Sequence, residues 1–273
     1  MGGWARRLSP ALRERVARVR IADSGHGYDR FGLCRDGLCE GLVLTRSLYE
    51  RWFRVSSHGA ENIPAQGAAV LASNHSGTLP FDGAMLWADV LRQSEPPRVV
   101  RAVMDHFVSR MPFVNTRFTR SGAVGGSRAN VEAVLAAGQL LLIFPEGEPG
   151  ISKPFRERYH LREFRVGHAE LAIRHGVPVV PVAVIGAEEQ LPQIALWKGF
   201  HLFGAPYLPI AATPFPLPVH YHIYYGAPIP MGERYQPVEA DYPEVVREAA
   251  ATVRDAVKTL IQRGLDNRVG VFR

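Results

Sequence analysis

Short apolar runs that read as buried strands alternate along the chain with longer stretches whose apolar residues recur at helical spacing. "AAVLAS" (68–73) is continuous and apolar, and a helix is expected to follow it from about Phe81 to Arg92. "RVVRAVM" (98–104) and "QLLLIF" (139–144) have the same strand character, the second ending at Pro145, and "VPVVPVAVIG" (177–186) begins another. "FVSRMPFVNTRF" (107–118) reads as a helix or helical turn. Ser127 can cap a helix running to Ala137 with Gly138 at its stop, and a further helix is expected from Glu163 to His175, ended by Gly176. This alternation predicts an α/β fold: a central mixed, largely parallel β-sheet flanked by helices, with the site at the strand ends.

The two ends of the chain are helical in pattern. In residues 4–20, Trp4, Leu8, Leu12 and Val16 recur every four positions with arginines between them, a stripe that can pack on the body or lie on a membrane. A second helix is expected over Asp36–Phe53, so residues 1–55 are read as an N-terminal helical, membrane-facing segment and 56–273 as the main domain. Asp241–Arg263 has a single apolar face and reads as a packing helix. Residues 191–219 are apolar, aromatic and proline-rich, with Lys198 the only fixed charge. That segment either wraps the core or offers an apolar surface to a membrane or an acyl chain.

Composition narrows the partners. A chain of 273 residues with 47% apolar positions can bury a large core. Its net charge of +6, carried almost entirely by arginine, suits phosphate-bearing partners. No nucleic-acid module accompanies the charge, so nucleic acid is not expected among them. Cys34 and Cys39 lack the further ligands of a zinc site and read as free thiols in a reducing compartment; no metal is expected. The N-terminus is too charged for a signal peptide, and no window of roughly 18 apolar residues predicts a membrane span.

The chemistry gathers at strand ends. "SNHSGTLPFDG" (73–83) delivers His75 just beyond a strand, where an imidazole titrating near neutrality can take a proton from a hydroxyl. Asp82, in the first turn of the following helix, can accept the other ring N–H and fix the tautomer. Taken alone, the stretch reads more readily as a strand-to-helix turn with a structural histidine. "LLLIFPEGEPG" (140–150) leaves Glu146 at the same edge if the two strands are neighbours. Lys153, Arg156, Arg158, Arg162 and Arg165 then follow within 13 positions, enough cation for a phosphate or for a solvated basic face.

In this order, His75…Asp82, Gly122-x5-Arg128, "FPEG" (144–147) and "VPVVPVAV" (177–184) resemble the four blocks of the glycerolipid acyltransferase family, the glycerol-3-phosphate and lysophospholipid O-acyltransferases. The resemblance covers about residues 50–230. It implies His75 as general base, Asp82 as its orienter, and Arg128, Glu146 and Gly147 as acceptor-binding residues. Lys153, Arg156 and Arg158 would join them on the acceptor's phosphate. Asn74, Gly122, Pro145 and Pro181 would fill motif positions of structural weight. The donor would be acyl-CoA or acyl-carrier protein, the acceptor a lysophospholipid or glycerol phosphate, with no cofactor. Backbone N–H groups near Gly77 or Gly147 are candidates for the oxyanion. Such an enzyme would sit in the cytoplasm on the anionic inner face of the membrane. Six residues separate His75 from Asp82 where the family has four, and Pro80 stands at the usual acid position, so whether Asp82 reaches His75 is open. A hydrolase using the same base, or a non-catalytic membrane-lipid-binding protein, are the alternatives.

Overall fold

The continuous apolar runs form strands covered on both faces. In a computed structural model that describes residues 2–23, 25–76, 79–105, 108, 110–197 and 208–273, they assemble into one sheet. Its strands are β1 (Ser56–His58), β2 (Ala69–Ser73), β3 (Val100–Met104), β4 (Val124–Gly125), β5 (Leu140–Ile143), β6 (Val179–Ile185) and, after a separate hairpin of β7 (Gln193–Trp197) and β8 (Leu208–Ala211), β9 (His222–Tyr225). The order across the sheet is β1-β9-β6-β2-β5-β3-β4. β2, β5, β3, β4 and β6 run parallel, while β9 is antiparallel to β6 and parallel to β1. Every residue of β2 and β6 is buried, which is why these strands read as unbroken apolar runs and do not alternate.

The helices are α1 (Pro10–Arg18), α2 (Arg35–Ser47), α3 (Phe81–Gln93), α4 (Val114–Arg120), α5 (Arg128–Ala136), the single turn α6 (Glu148–Ile151), α7 (Gly167–Arg174), the short α8 (Ala187–Gln190) and α9 (Met231–Arg234), and α10 (Pro243–Asn267). The pleat divides them into two layers. Leu71, Leu142 and Val182 point to a layer with Leu38 and Leu42 of α2 and Met85 and Leu86 of α3. Their neighbours Val70, Leu141 and Ala183 point the other way, to Val134 of α5, Ile173 of α7 and Val253 and Val257 of α10.

The N-terminal stripe is used inside the protein. Leu8, Leu12 and Val16 are buried in the same layer as α2 and α3, and Phe53 stacks on Tyr221 with ring centroids 4.4 Å apart. The described residues of this N-terminal segment therefore share their core with the sheet, and Arg15 and Arg18 of α1 pair with Glu95.

Other differences from expectation have local causes. The helix expected from Glu163 starts at Gly167, because the chain before it is tied to the end of β5 by the backbone N–H groups of Arg162 and Arg165. The last helix starts at Pro243, a residue suited to a first turn, and runs on to Asn267. β1, β4 and β9 were not anticipated; β1 (Ser-Ser-His) and β4 are short, and β9 opens on a histidine. In the 191–219 segment, β7 and β8 pair antiparallel and leave Ile194 66% and Phe215 76% exposed, while 198–207, including Lys198, lie outside the described residues. Among the described residues no helix is long and apolar enough to cross a membrane.

Candidate active site

β2, β5 and β6 are adjacent and parallel, so their C-terminal ends reach one edge together. Asn74 extends the β2–β6 ladder by one rung: its Oδ1 accepts the Val184 N–H at 2.8 Å and its Nδ2 donates to the Val184 carbonyl at 3.1 Å. This clamp sets the departure of the loop that carries His75.

His75 Nδ1 donates to Asp82 Oδ2 at 2.6 Å, so the longer spacing does not break the pair. Asp82 is fully buried in the first turn of α3, where the helix dipole favours a carboxylate. Its Oδ2 also accepts the Ser76 N–H at 2.9 Å. The imidazole lies flat on Phe144, centroids 4.1 Å apart and 18° between planes. Burial alone would lower the His75 pKa; the charge and hydrogen bond of Asp82, with the charge of Glu146, outweigh it and leave the pKa raised above the ordinary 6.5. With Nδ1–H given to Asp82, Nε2 keeps its lone pair, and it has no protein partner among the described residues.

Glu146 is buried beside this pair. Its Oε1 accepts the His75 backbone N–H at 3.1 Å, and its Oε2 accepts the Arg162 N–H at 2.8 Å and the Lys153 ammonium at 3.1 Å. Lys153, 3% exposed at its side chain, also reaches Glu188 at 3.2 Å. The Lys153 charge, expected on a phosphate, is thus taken up between two carboxylates. Burial pushes the Glu188 pKa up, with Lys153 opposing it. Tyr159, whose φ of 64° is unusual for a residue with a Cβ, donates its N–H to Glu188 and its O–H to Glu189, each at 3.0 Å. Arg268, just beyond α10, grips Glu189 with both terminal nitrogens.

The remaining expected site residues fall in several places. Arg128 opens α5 beyond β4, three strands from β2 or roughly 14 Å at sheet spacing. Its guanidinium binds Glu132 and Glu170. Arg158 lies 3.6 Å from Glu189 and over the Phe155 ring, and Arg156 is exposed, 3.6 Å from Glu157. Gly147, at φ 58°, donates its N–H to the Phe144 carbonyl, so that group is not free for an oxyanion. Gly77 lies outside the described residues. Gly122, at φ 110°, fits tightly against Val99 and the buried Arg101, which pairs with Asp29 at 2.7 Å. Pro145 gives its carbonyl to the Arg165 N–H at 2.9 Å. Pro181 faces the β9 side of β6 and keeps its carbonyl bonded there, accepting the Gly226 N–H at 2.8 Å. Glu188 and Glu189 were missed, although "IGAEEQ" sets two acids after a buried strand just as "FPEG" does. Among the described residues no cluster of His, Cys, Asp or Glu is arranged to hold a metal, and Cys34 and Cys39 are buried free thiols.

The family model described as Acyltransferase matches residues 54–185, from the approach to β1 to the last residue of β6. An uncharacterised protein of Mycobacterium tuberculosis is 36% identical over 239 residues, covering 84% of this chain and 66% of its own length. Residues 54–185 therefore carry the acyltransferase domain that the family model describes. A bovine relative, named as a DGAT1/2-independent enzyme synthesizing storage lipids, is 30% identical over 219 residues, covering 78% of this chain and 60% of that protein. The chain therefore spans two thirds or less of these relatives. The crystal structure of the 1-acyl-sn-glycerophosphate acyltransferase PlsC from Thermotoga maritima superposes with a TM-score of 0.54 at 19% identity, covering 85% of this chain and 83% of that one. It shares the fold.

Lys153 generates a direct test of the site's ionic core. Lys153→Met leaves Glu146 and Glu188 facing each other without a cation, and urea unfolding should show a loss of about 3–5 kcal/mol. A variant as stable as wild type would mean that the ammonium does not join the two carboxylates.

Proposed function

We propose that the protein moves a fatty acyl group from acyl-CoA or acyl-carrier protein to a hydroxyl of a lysophospholipid or glycerol-phosphate acceptor. The observation that carries this is the 2.6 Å bond from His75 Nδ1 to the buried Asp82, at a strand edge of the acyltransferase domain. His75 Nε2 takes the acceptor's proton as the hydroxyl oxygen attacks the thioester carbonyl. Asp82 steadies the imidazolium that forms. When the tetrahedral intermediate collapses, the carbon–sulfur bond breaks and the proton passes from His75 to the departing thiolate. The mammalian relatives are named for storage lipids, so neutral acylglycerols belong in the acceptor panel beside phosphate-bearing ones.

The acceptor's acyl chain lies in a bilayer, and the protein would meet it peripherally, at the inner face of the membrane. With the α1 stripe buried, the exposed apolar residues of the 191–219 segment are the part that supports contact with lipid, and the net charge of +6 favours an anionic surface.

His75→Ala should lower kcat/KM for acyl transfer by about 10²–10⁴, and Asp82→Asn should cost a comparable factor through loss of the tautomer and of the imidazolium's partner. The base works unprotonated and its pKa is raised, so the acid limb of the wild-type rate profile should lie above pH 6.5. Full activity in either variant contradicts the assignment. Release of free fatty acid at the same rate with and without acceptor would show a hydrolase. In flotation, the protein should bind anionic vesicles at low salt and detach as salt rises; no binding at low salt would count against membrane docking.

A further inference from the structure

The cations that follow "FPEG" are almost all spent on carboxylates. Lys153 lies between Glu146 and Glu188, Arg158 faces Glu189, and Arg156 and Arg162 face Glu157. Arg128, further off, is held by Glu132 and Glu170. Arg165 differs. Its side chain is exposed and makes no hydrogen bond or ion pair among the described residues, yet its backbone is fixed at both ends. The Arg165 N–H donates to the Pro145 carbonyl at 2.9 Å, and the Arg165 carbonyl accepts from His168 Nδ1 at 2.8 Å.

The guanidinium lies against the bare Cα of Gly147. A Cβ there would come 2.8 Å from Arg165 Cζ and 3.0 Å from its Nε. Gly147 directly follows Glu146, whose carboxylate holds the His75 backbone. A free, pre-positioned guanidinium therefore stands one residue from the group that fixes the base.

We propose that Arg165, resting on Gly147, is the site that recognises a phosphate group of the substrate. This rests on the acyl-transfer reading for the identity of the ligands, which places that phosphate on the lipid acceptor or on the coenzyme of the donor. The guanidinium fork offers two parallel donors to phosphate oxygens, and the tethered backbone reduces the entropy lost on binding. Gly147 is favoured as glycine by its positive φ of 58°, and the absent Cβ leaves the space in which the guanidinium rests.

Equilibrium binding to the full chain tests this without turnover. The probes are 1-oleoylglycerol 3-phosphate, 1-oleoylglycerol and coenzyme A, measured with wild type, Arg165→Gln, Arg165→Lys and, as a charge control, Arg247→Gln on the exposed side of α10. Arg165→Gln should weaken a phosphate-bearing probe by about tenfold or more and leave 1-oleoylglycerol unchanged, with Arg165→Lys recovering part of the loss. A loss confined to the phosphorylated lipid assigns the site to the acceptor; one confined to coenzyme A assigns it to the donor. Unchanged affinity for both, or an equal loss in Arg247→Gln, overturns the proposal. Absence of acyl transfer in a wild type that still shows the Arg165 preference would sink the acyl-transfer reading and leave this site standing.

Discussion

The Glu146 carboxylate receives three segments of chain at once: the His75 loop after β2, the backbone at Arg162, and the Lys153 ammonium. Each segment has its own route to the strand edge, and the carboxylate joins all three there. A buried carboxylate is costly unless its lone pairs are filled. Here an amide N–H fills one oxygen, and an amide N–H and a cation fill the other. The loop bearing His75 is thus located by an interaction that tolerates little displacement.

From that point a belt of charge extends along the edge of an otherwise apolar sheet. Lys153 passes the constraint to Glu188, Tyr159 links Glu188 to Glu189, and Arg268 ties Glu189 to the chain beyond the last helix. Replacing such a belt by apolar side chains could leave a domain as stable or more so. Its retention fits a need to hold a histidine and its carboxylate in one geometry. Within the belt, the raised His75 pKa is the sum of burial, which opposes the charged imidazole, and two carboxylates, which favour it. The same arrangement that positions the base also sets its protonation.

Much of the fold was legible because β2, β5 and β6 lie in the sheet interior and need apolar residues on both faces. The edge strands β1 and β4 are short, β1 is Ser-Ser-His and β9 opens on a histidine, so periodicity does not mark them. The pairing of His75 with Asp82 was legible as chemistry but not as geometry. Spacing along the chain says little about a loop whose ends are both fixed, one by the Asn74 clamp and the other by the first turn of α3. The cations show the same limit. A run of lysine and arginine looks alike whether it faces solvent or buried acids, and the partners Glu188 and Glu189 lie more than thirty residues away from Lys153. Only the fold separates Lys153, which is neutralised, from Arg165, which is not.

The claim on which everything rests is that Asp82 holds His75 as a base with Nε2 directed to the substrate. Nitrogen-15 NMR of the His75 imidazole through a pH titration measures this most directly. The account predicts the Nδ1–H tautomer for the neutral ring, a pKa above 6.5, and a fall in that pKa in Asp82→Asn. An Nε2–H tautomer, or a wild-type pKa at or below 6.5 that Asp82→Asn leaves unmoved, would contradict it.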